Sequence, residues 1–122
     1  MIQVNDVTKH FGTFRALDSL TMHVQKGSIY GLVGPNGAGK STILRHITGI
    51  YRPDAGEILV DGQPVYENPV AKAKFVSIPD DFYYFMSAST RDMMNFYRGM
   101  YPKFDMERYN ALREAFPAVN EK

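Results

Sequence analysis

The chain has 122 residues, 44% of them hydrophobic, enough to bury the core of one domain and too few for two. Fourteen Lys and Arg stand against thirteen Asp and Glu, a formal charge of +1 with no run of one sign, which gives no support to binding nucleic acid or an anionic membrane surface. There is no cysteine, which excludes disulfides and thiolate metal sites, and no apolar run reaches the ~18 residues of a membrane-crossing helix.

Ile2, Val4 and Val7 among polar neighbours predict an opening strand, with a turn at Gly12-Thr13 after it. In Ser19-Leu20-Thr21-Met22-His23-Val24 the apolar residues alternate, placing Leu20, Met22 and Val24 on one face of a second strand. Gln25-Lys26-Gly27 then turns the chain into Ser28-Ile29-Tyr30-Gly31-Leu32-Val33, whose apolar run predicts a buried strand. Residues 42–47 predict a helix ending at Gly49. Turn chemistry in Arg52-Pro53-Asp54-Ala55-Gly56 precedes a strand at 57–60. Asp61-Gly62 favours a two-residue hairpin, and Pro64 places its return, over 63–66, at a sheet edge.

Residues 68–73 predict a short capped helix, and Phe75-Val76-Ser77-Ile78 a further strand, closed by Pro79 and the pair Asp80-Asp81. From there the composition shifts towards aromatics and methionine. Ser89 or Thr90 caps a helix carrying Met93, Phe96, Tyr97 and Met100 at i, i+3, i+4 and i+7, a stripe expected to face a core. Asp105 caps another, with Met106, Tyr109, Leu112 and Phe116 at roughly helical spacing until Pro117 stops it.

One stretch outweighs the rest. Gly34-Pro35-Asn36-Gly37-Ala38-Gly39-Lys40-Ser41-Thr42 fits G-x-x-x-x-G-K-[ST], the phosphate-binding P-loop. Its glycines lack the Cβ that would block positive φ, so successive backbone N–H groups can turn inward on a polyphosphate. Lys40 supplies a point charge for the β- and γ-phosphates and Ser41 a hydroxyl for Mg²⁺. Both open a helix, where unpaired N–H groups and the dipole favour an anion. A predicted strand before the loop and a predicted helix after it are the context the motif requires.

With the P-loop stand Lys9-His10-Phe11-Gly12, Ala16-Leu17, Pro53-Asp54-Ala55-Gly56-Glu57-Ile58 and Asp61-Gly62. At these separations the chain resembles, over essentially its whole length, the amino-terminal part of the ATP-binding subunit of an ABC transporter. Residues 96–102, FYRGMYP, resemble a group of bacterial exporter-type subunits. The resemblance implies an α/β P-loop NTPase core, with an antiparallel β subdomain, over 1–80, and the start of a helical subdomain over 81–122. It implies ATP and Mg²⁺ as ligands, with Phe11 in the loop that stacks on adenine and Ala16 beside the nucleotide. It also implies a membrane-spanning transporter subunit and a second ATP-binding subunit, in a homodimer or heterodimer, as partners, with no nucleic acid. The expected location is the cytoplasmic face of the membrane, held there through the partner; residues 1–6 lack the pattern of a signal peptide.

The family places a glutamine after the strand at 75–78, and Asp80 stands there. A carboxylate binds Mg²⁺ directly or through water but, unless protonated, donates no hydrogen bond; the alternative is a solvated turn or cap formed by Asp80 and Asp81. Residues 82–86, FYYFM, would by resemblance receive a helix of the membrane partner, or else pack between sheet and helices. No Walker B strand ending Asp-Glu, signature loop or switch histidine is found, and His10, His23 and His46 read as structural or exposed. The expectation is therefore a fragment that binds nucleotide, with Lys40 in a catalytic role only in the full-length ATPase. A small P-loop kinase and a non-transport ABC-type ATPase are the competing readings.

Overall fold

A computed structural model describes residues 1–80 and 83–116. Asp81, Phe82 and Pro117, on which an acidic pair, part of the aromatic run and a helix stop were predicted, lie outside the described residues. The chain divides into two units, Met1–Ser77 and Ile78–Lys122.

In the first unit, β1 (Ile2–Phe11) turns at Gly12-Thr13 into β2 (Phe14–Val24), and the two pair antiparallel from Ile2↔Val24 to Phe11↔Phe14. The helix α1 (Lys40–Ile47) follows, then β3 (Ala55–Val60) and the two-residue β4 (Gln63–Pro64). The sheet order is β2-β1-β3-β4, so β4 with Pro64 occupies an edge, where a missing N–H costs no ladder bond. Register shifts interrupt β1 between Val4 and Val7, where Asp6 takes φ 48. Gly56 of β3 lies against this kink with φ +81, and a Cβ there would stand 2.3 Å from the Asp6 carbonyl oxygen. Only glycine fits that approach.

The core is the seam between one sheet face and α1. Val4, Val7, Leu17, Ile58 and Val60 from the strands meet Ile43 and Ile47 of α1 and Val65, all under a tenth exposed. Leu20 and Met22 pack against this cluster, in keeping with the alternation read in β2. A short helix α2 (Pro69–Lys72) is capped by the Asn68 side chain, which accepts from the Val70 and Ala71 N–H groups.

Two predicted strands are not built. Residues 28–33 form no strand, and Ile29 and Val33 are fully or nearly fully exposed. Residues 75–78 are likewise irregular, with Val76 and Ile78 exposed. The physical reason is the same for both: an apolar run becomes a strand only when a neighbour takes its N–H and C=O groups, and among the described residues none does.

In the second unit, α3 (Thr90–Met100) opens on a reciprocal box. Ser89 Oγ accepts from the Asp92 N–H, and the Asp92 carboxylate accepts from the Ser89 N–H at 2.9 Å. The Ser89 hydroxyl, which donates to the same carboxylate at 2.7 Å, and then the Ser89 N–H hold the Asp92 carboxyl below its ordinary pKa. The helix α4 (Met106–Ala115) is capped by Asp105. Neither helix has a buried residue, which corrects the expected core role of the Met93 to Met100 stripe: Phe96, Tyr97 and Met100 are exposed. Their rings meet local neighbours instead, with Phe85 edge-on to Phe96 and Tyr97 stacked on Tyr101.

Candidate nucleotide-binding site

The loop before α1 is shaped by glycines in the left-handed region, Gly37 at φ 84 and Gly39 at φ 88. Gly39 is the N-cap of α1, and no side chain caps this end. The helix therefore begins two residues earlier than the apolar pattern at 42–47 suggested, on Lys40 itself. The first-turn N–H groups of a helix have no acceptor within it, and here no side chain supplies one at the cap. A Cβ on Gly39 would lie 2.9 Å from the Ala16 carbonyl oxygen and 3.1 Å from Leu17 Cδ2, so β2 presses against the loop at that point.

Lys40 Nζ donates to the carbonyls of Gly34 at 2.6 Å and Pro35 at 2.7 Å, and among the described residues no carboxylate pairs with it. Its ammonium is thus held over the loop by two neutral acceptors that a phosphate oxygen can outcompete. The Ala38 N–H donates to the Pro35 carbonyl at 3.2 Å, closing the turn that contains Asn36. Ser41 is exposed and Thr42 half-buried, both in the first turn of α1. A depression of about 200 Å³ beside the loop is lined by Ala16, Leu17, Gly39, Lys40 and Ile43 among others. An uncapped helix start, left-handed glycines and a lysine without a carboxylate partner fit a polyphosphate. For Mg²⁺ the fit is narrower: Ser41 offers one hydroxyl, and no group of three or more acidic or histidine side chains is assembled among the described residues.

The aromatic segment lies at the end of β1. Phe11 is 42% exposed, its ring edge-on to Tyr51 with centroids 5.4 Å apart, and Lys9 Nζ lies 5.7 Å from its centroid. Asp54 pins the backbone beside it, accepting from the His10 N–H at 2.7 Å and from Lys9 Nζ at 2.9 Å. The Lys9 hydrogen bond first, and then that of the His10 backbone, hold the Asp54 carboxyl below its ordinary value. His46 of α1 is fully buried, its Nδ1 2.8 Å from the Thr42 carbonyl, while His23 is exposed. The structure thus gathers Ala16 and the P-loop residues at one place, and Phe11 onto Tyr51. Asp80 is exposed and belongs to the other unit. Sequence reading gave no role to Tyr51, Arg45 or Asp54: Tyr51 and Asp54 act on Phe11 and His10, far away in the chain, and Arg45 acts on Tyr51 six residues on, a contact that follows only once Tyr51 is placed; the Asp54 turn motif was the available signal.

Comparison with known proteins decides the family. The ABC transporter family profile matches residues 17–119. The chain belongs to the ABC transporter family. Among ABC relatives, the "Ribose import ATP-binding protein RbsA" of Pseudomonas putida is 52% identical over 64 residues, 52% of this chain and 12% of that protein. The "SkfA peptide export ATP-binding protein SkfE" of Bacillus subtilis is 37% identical over 118 residues, 93% of this chain and 49% of that protein. A solved structure of the ATP-binding subunit of an ABC transporter superposes with a TM-score of 0.78 at 25% identity, covering 90% of this chain and 46% of that one. The chain therefore spans at most about half the length of these relatives. The fold is that of the ABC ATPase P-loop domain in part, with its antiparallel sheet and helices, and the kinase reading is not favoured. No helix among the described residues is long and apolar enough to cross a membrane.

Proposed function

We propose that the chain is the nucleotide-binding part of an ABC transporter ATP-binding subunit and holds Mg-ATP at residues 34–42. The observation that carries this reading is the uncapped start of α1 with Lys40 poised over the loop on two carbonyls. In the complex, the loop N–H groups and the dipole of α1 take the phosphate oxygens, and Lys40 exchanges its carbonyls for the β- and γ-phosphates. Ser41 would offer one oxygen ligand to Mg²⁺, with phosphate oxygens and water completing its shell. Asp80 is the proposed second protein contact to the metal, and Phe11, with ring surface open to solvent, the platform for adenine.

These 122 residues supply a cradle, a cation and the two proposed metal contacts, Ser41 and Asp80. Phosphoryl transfer to water needs an oriented nucleophile besides, so binding without steady turnover is the expected behaviour of this chain. Residues 1–80 act as β subdomain and core and 81–122 as the start of the helical subdomain, which meets a membrane-spanning subunit. Pairing with a second ATP-binding subunit at the cytoplasmic face completes the proposal. A bacterial exporter type is the branch we propose, on residues 96–102 and the Bacillus relative, against the import proteins that make up most of the relatives; uptake rather than export by the assembled transporter would overturn it.

The test is stabilisation by ligand. Mg-ATP at a hundredfold excess over Kd should raise the unfolding free energy by about 2.7 kcal/mol. An unchanged melting curve would contradict an assembled cradle.

A further inference from the structure

Three ring contacts join the two ends of the proposed site. His46 Nδ1 lies 2.8 Å from the carbonyl of Thr42, the last residue of the P-loop motif; a carbonyl only accepts, so Nδ1 carries the hydrogen and the ring is pinned to the first turns of α1. Buried Nε2 has no partner, so packing alone fixes that side of the ring. Tyr51 stands edge-on to His46 at 5.5 Å and edge-on to Phe11 at 5.4 Å, both at 67°. Arg45, also on α1, donates to the Tyr51 hydroxyl at 3.3 Å and lies 5.9 Å from the ring centroid. Tyr51 is therefore gripped from α1 by two residues and presents its remaining surface to Phe11.

The backbone of Phe11 is already held by the Asp54 bond to the His10 N–H. What that bond leaves free is the rotation of the ring. We propose that Tyr51 is a positioning residue, which sets the Phe11 ring at a fixed place relative to the phosphate cradle through His46 and Arg45 of α1. The inference rests on the reading of Phe11 as the adenine platform. A base and a triphosphate are one rigidly linked ligand only in part, and the binding gained by holding both depends on how well the two subsites are fixed to each other.

The experiment titrates the whole chain with two probes, Mg-ATP and Mg-tripolyphosphate, the second having no base. Tyr51→Leu should weaken Mg-ATP about threefold to tenfold, the range expected for a lost edge-to-face contact, and leave tripolyphosphate within about twofold. Tyr51→Phe keeps the ring and should return the ATP affinity to within about twofold of the parent. Phe11→Ala should weaken ATP on the order of tenfold or more, again sparing tripolyphosphate.

If Phe11→Ala shows that selective loss and Tyr51→Leu does not, the positioning role is overturned while the platform reading stands. If Phe11→Ala spares ATP, the platform reading fails and this inference fails with it. Equal weakening of both probes by Tyr51→Leu would make the ring a support of the cradle or of the fold and would overturn the proposal. Circular dichroism reports whether each variant is folded; should Tyr51→Leu not be, Tyr51→Met, which fills the space without an aromatic edge, is read against the same outcomes.

Discussion

Residues 28–33 and the strand β3, Ala55–Val60, are both rich in branched apolar side chains, and they end in opposite states. In β3, Ile58 and Val60 are 4% exposed and the backbone is zipped to β1 from Ile2↔Val60 to Thr8↔Ala55. In residues 28–33, Ile29 is 103% and Val33 96% exposed, and no strand lies alongside among the described residues. The difference is not propensity. β3 has a partner strand and a helix to cover its face, and 28–33 has neither, so the same hydrophobic gain is collected in one place and left open in the other.

The largest test of this contrast is a matched pair of truncations. Ile58→Ala should cost about 2–5 kcal/mol in urea unfolding, and Ile29→Ala should stay within about 0.5 kcal/mol of the parent. Equal costs would mean that 28–33 is packed in solution and the contrast is false.

A second pair sharpens the backbone side. Gly56→Ala places a Cβ 2.3 Å from the Asp6 carbonyl oxygen at φ +81, while Gly31→Ala meets nothing within 4 Å. The first should lose about 1–3 kcal/mol and the second almost nothing, read from the same unfolding curves.

How much of this was legible in the sequence follows from where each signal lives. The P-loop is local: its shape needs only glycines at 37 and 39 and a helix start at Lys40, so a nine-residue string gave both motif and geometry. Caps at Asn68, Ser89 and Asp105 were legible for the same reason, since each side chain reaches an N–H two or three residues on. Strand existence at 28–33 and 75–78 was not legible, because it depends on a neighbour that the run itself does not encode. Nor was the Phe11 to Tyr51 contact, which joins residues 40 positions apart. The extra length of β1 and β2 was missed because Asp6 and Ser19, with φ of 48 and 46, interrupt the alternation that marks a strand.

Smaller effects belong to the second unit, where capping rather than a core stabilises the helices. Ser89→Ala removes one half of the box at α3 and should cost about 1 kcal/mol, seen as a loss of helical circular dichroism. The smallest is a pH effect. Asp54 and Asp92 have folded pKa values below their ordinary ones, so the stability they contribute is present above about pH 4 and is lost as pH falls through the folded values. Acid titration of the midpoint should therefore fall below about pH 4, and Asp54→Asn should flatten that fall.

The central claim, that the start of α1 holds a polyphosphate through Lys40, meets its most direct test in calorimetric titration of Mg-ATP into the chain and into Lys40→Ala. The account predicts saturable binding at one site per chain, weakened by about tenfold or more in the variant, as loss of a charge-assisted contact requires. Binding of equal strength in both proteins, or none in either, would contradict it.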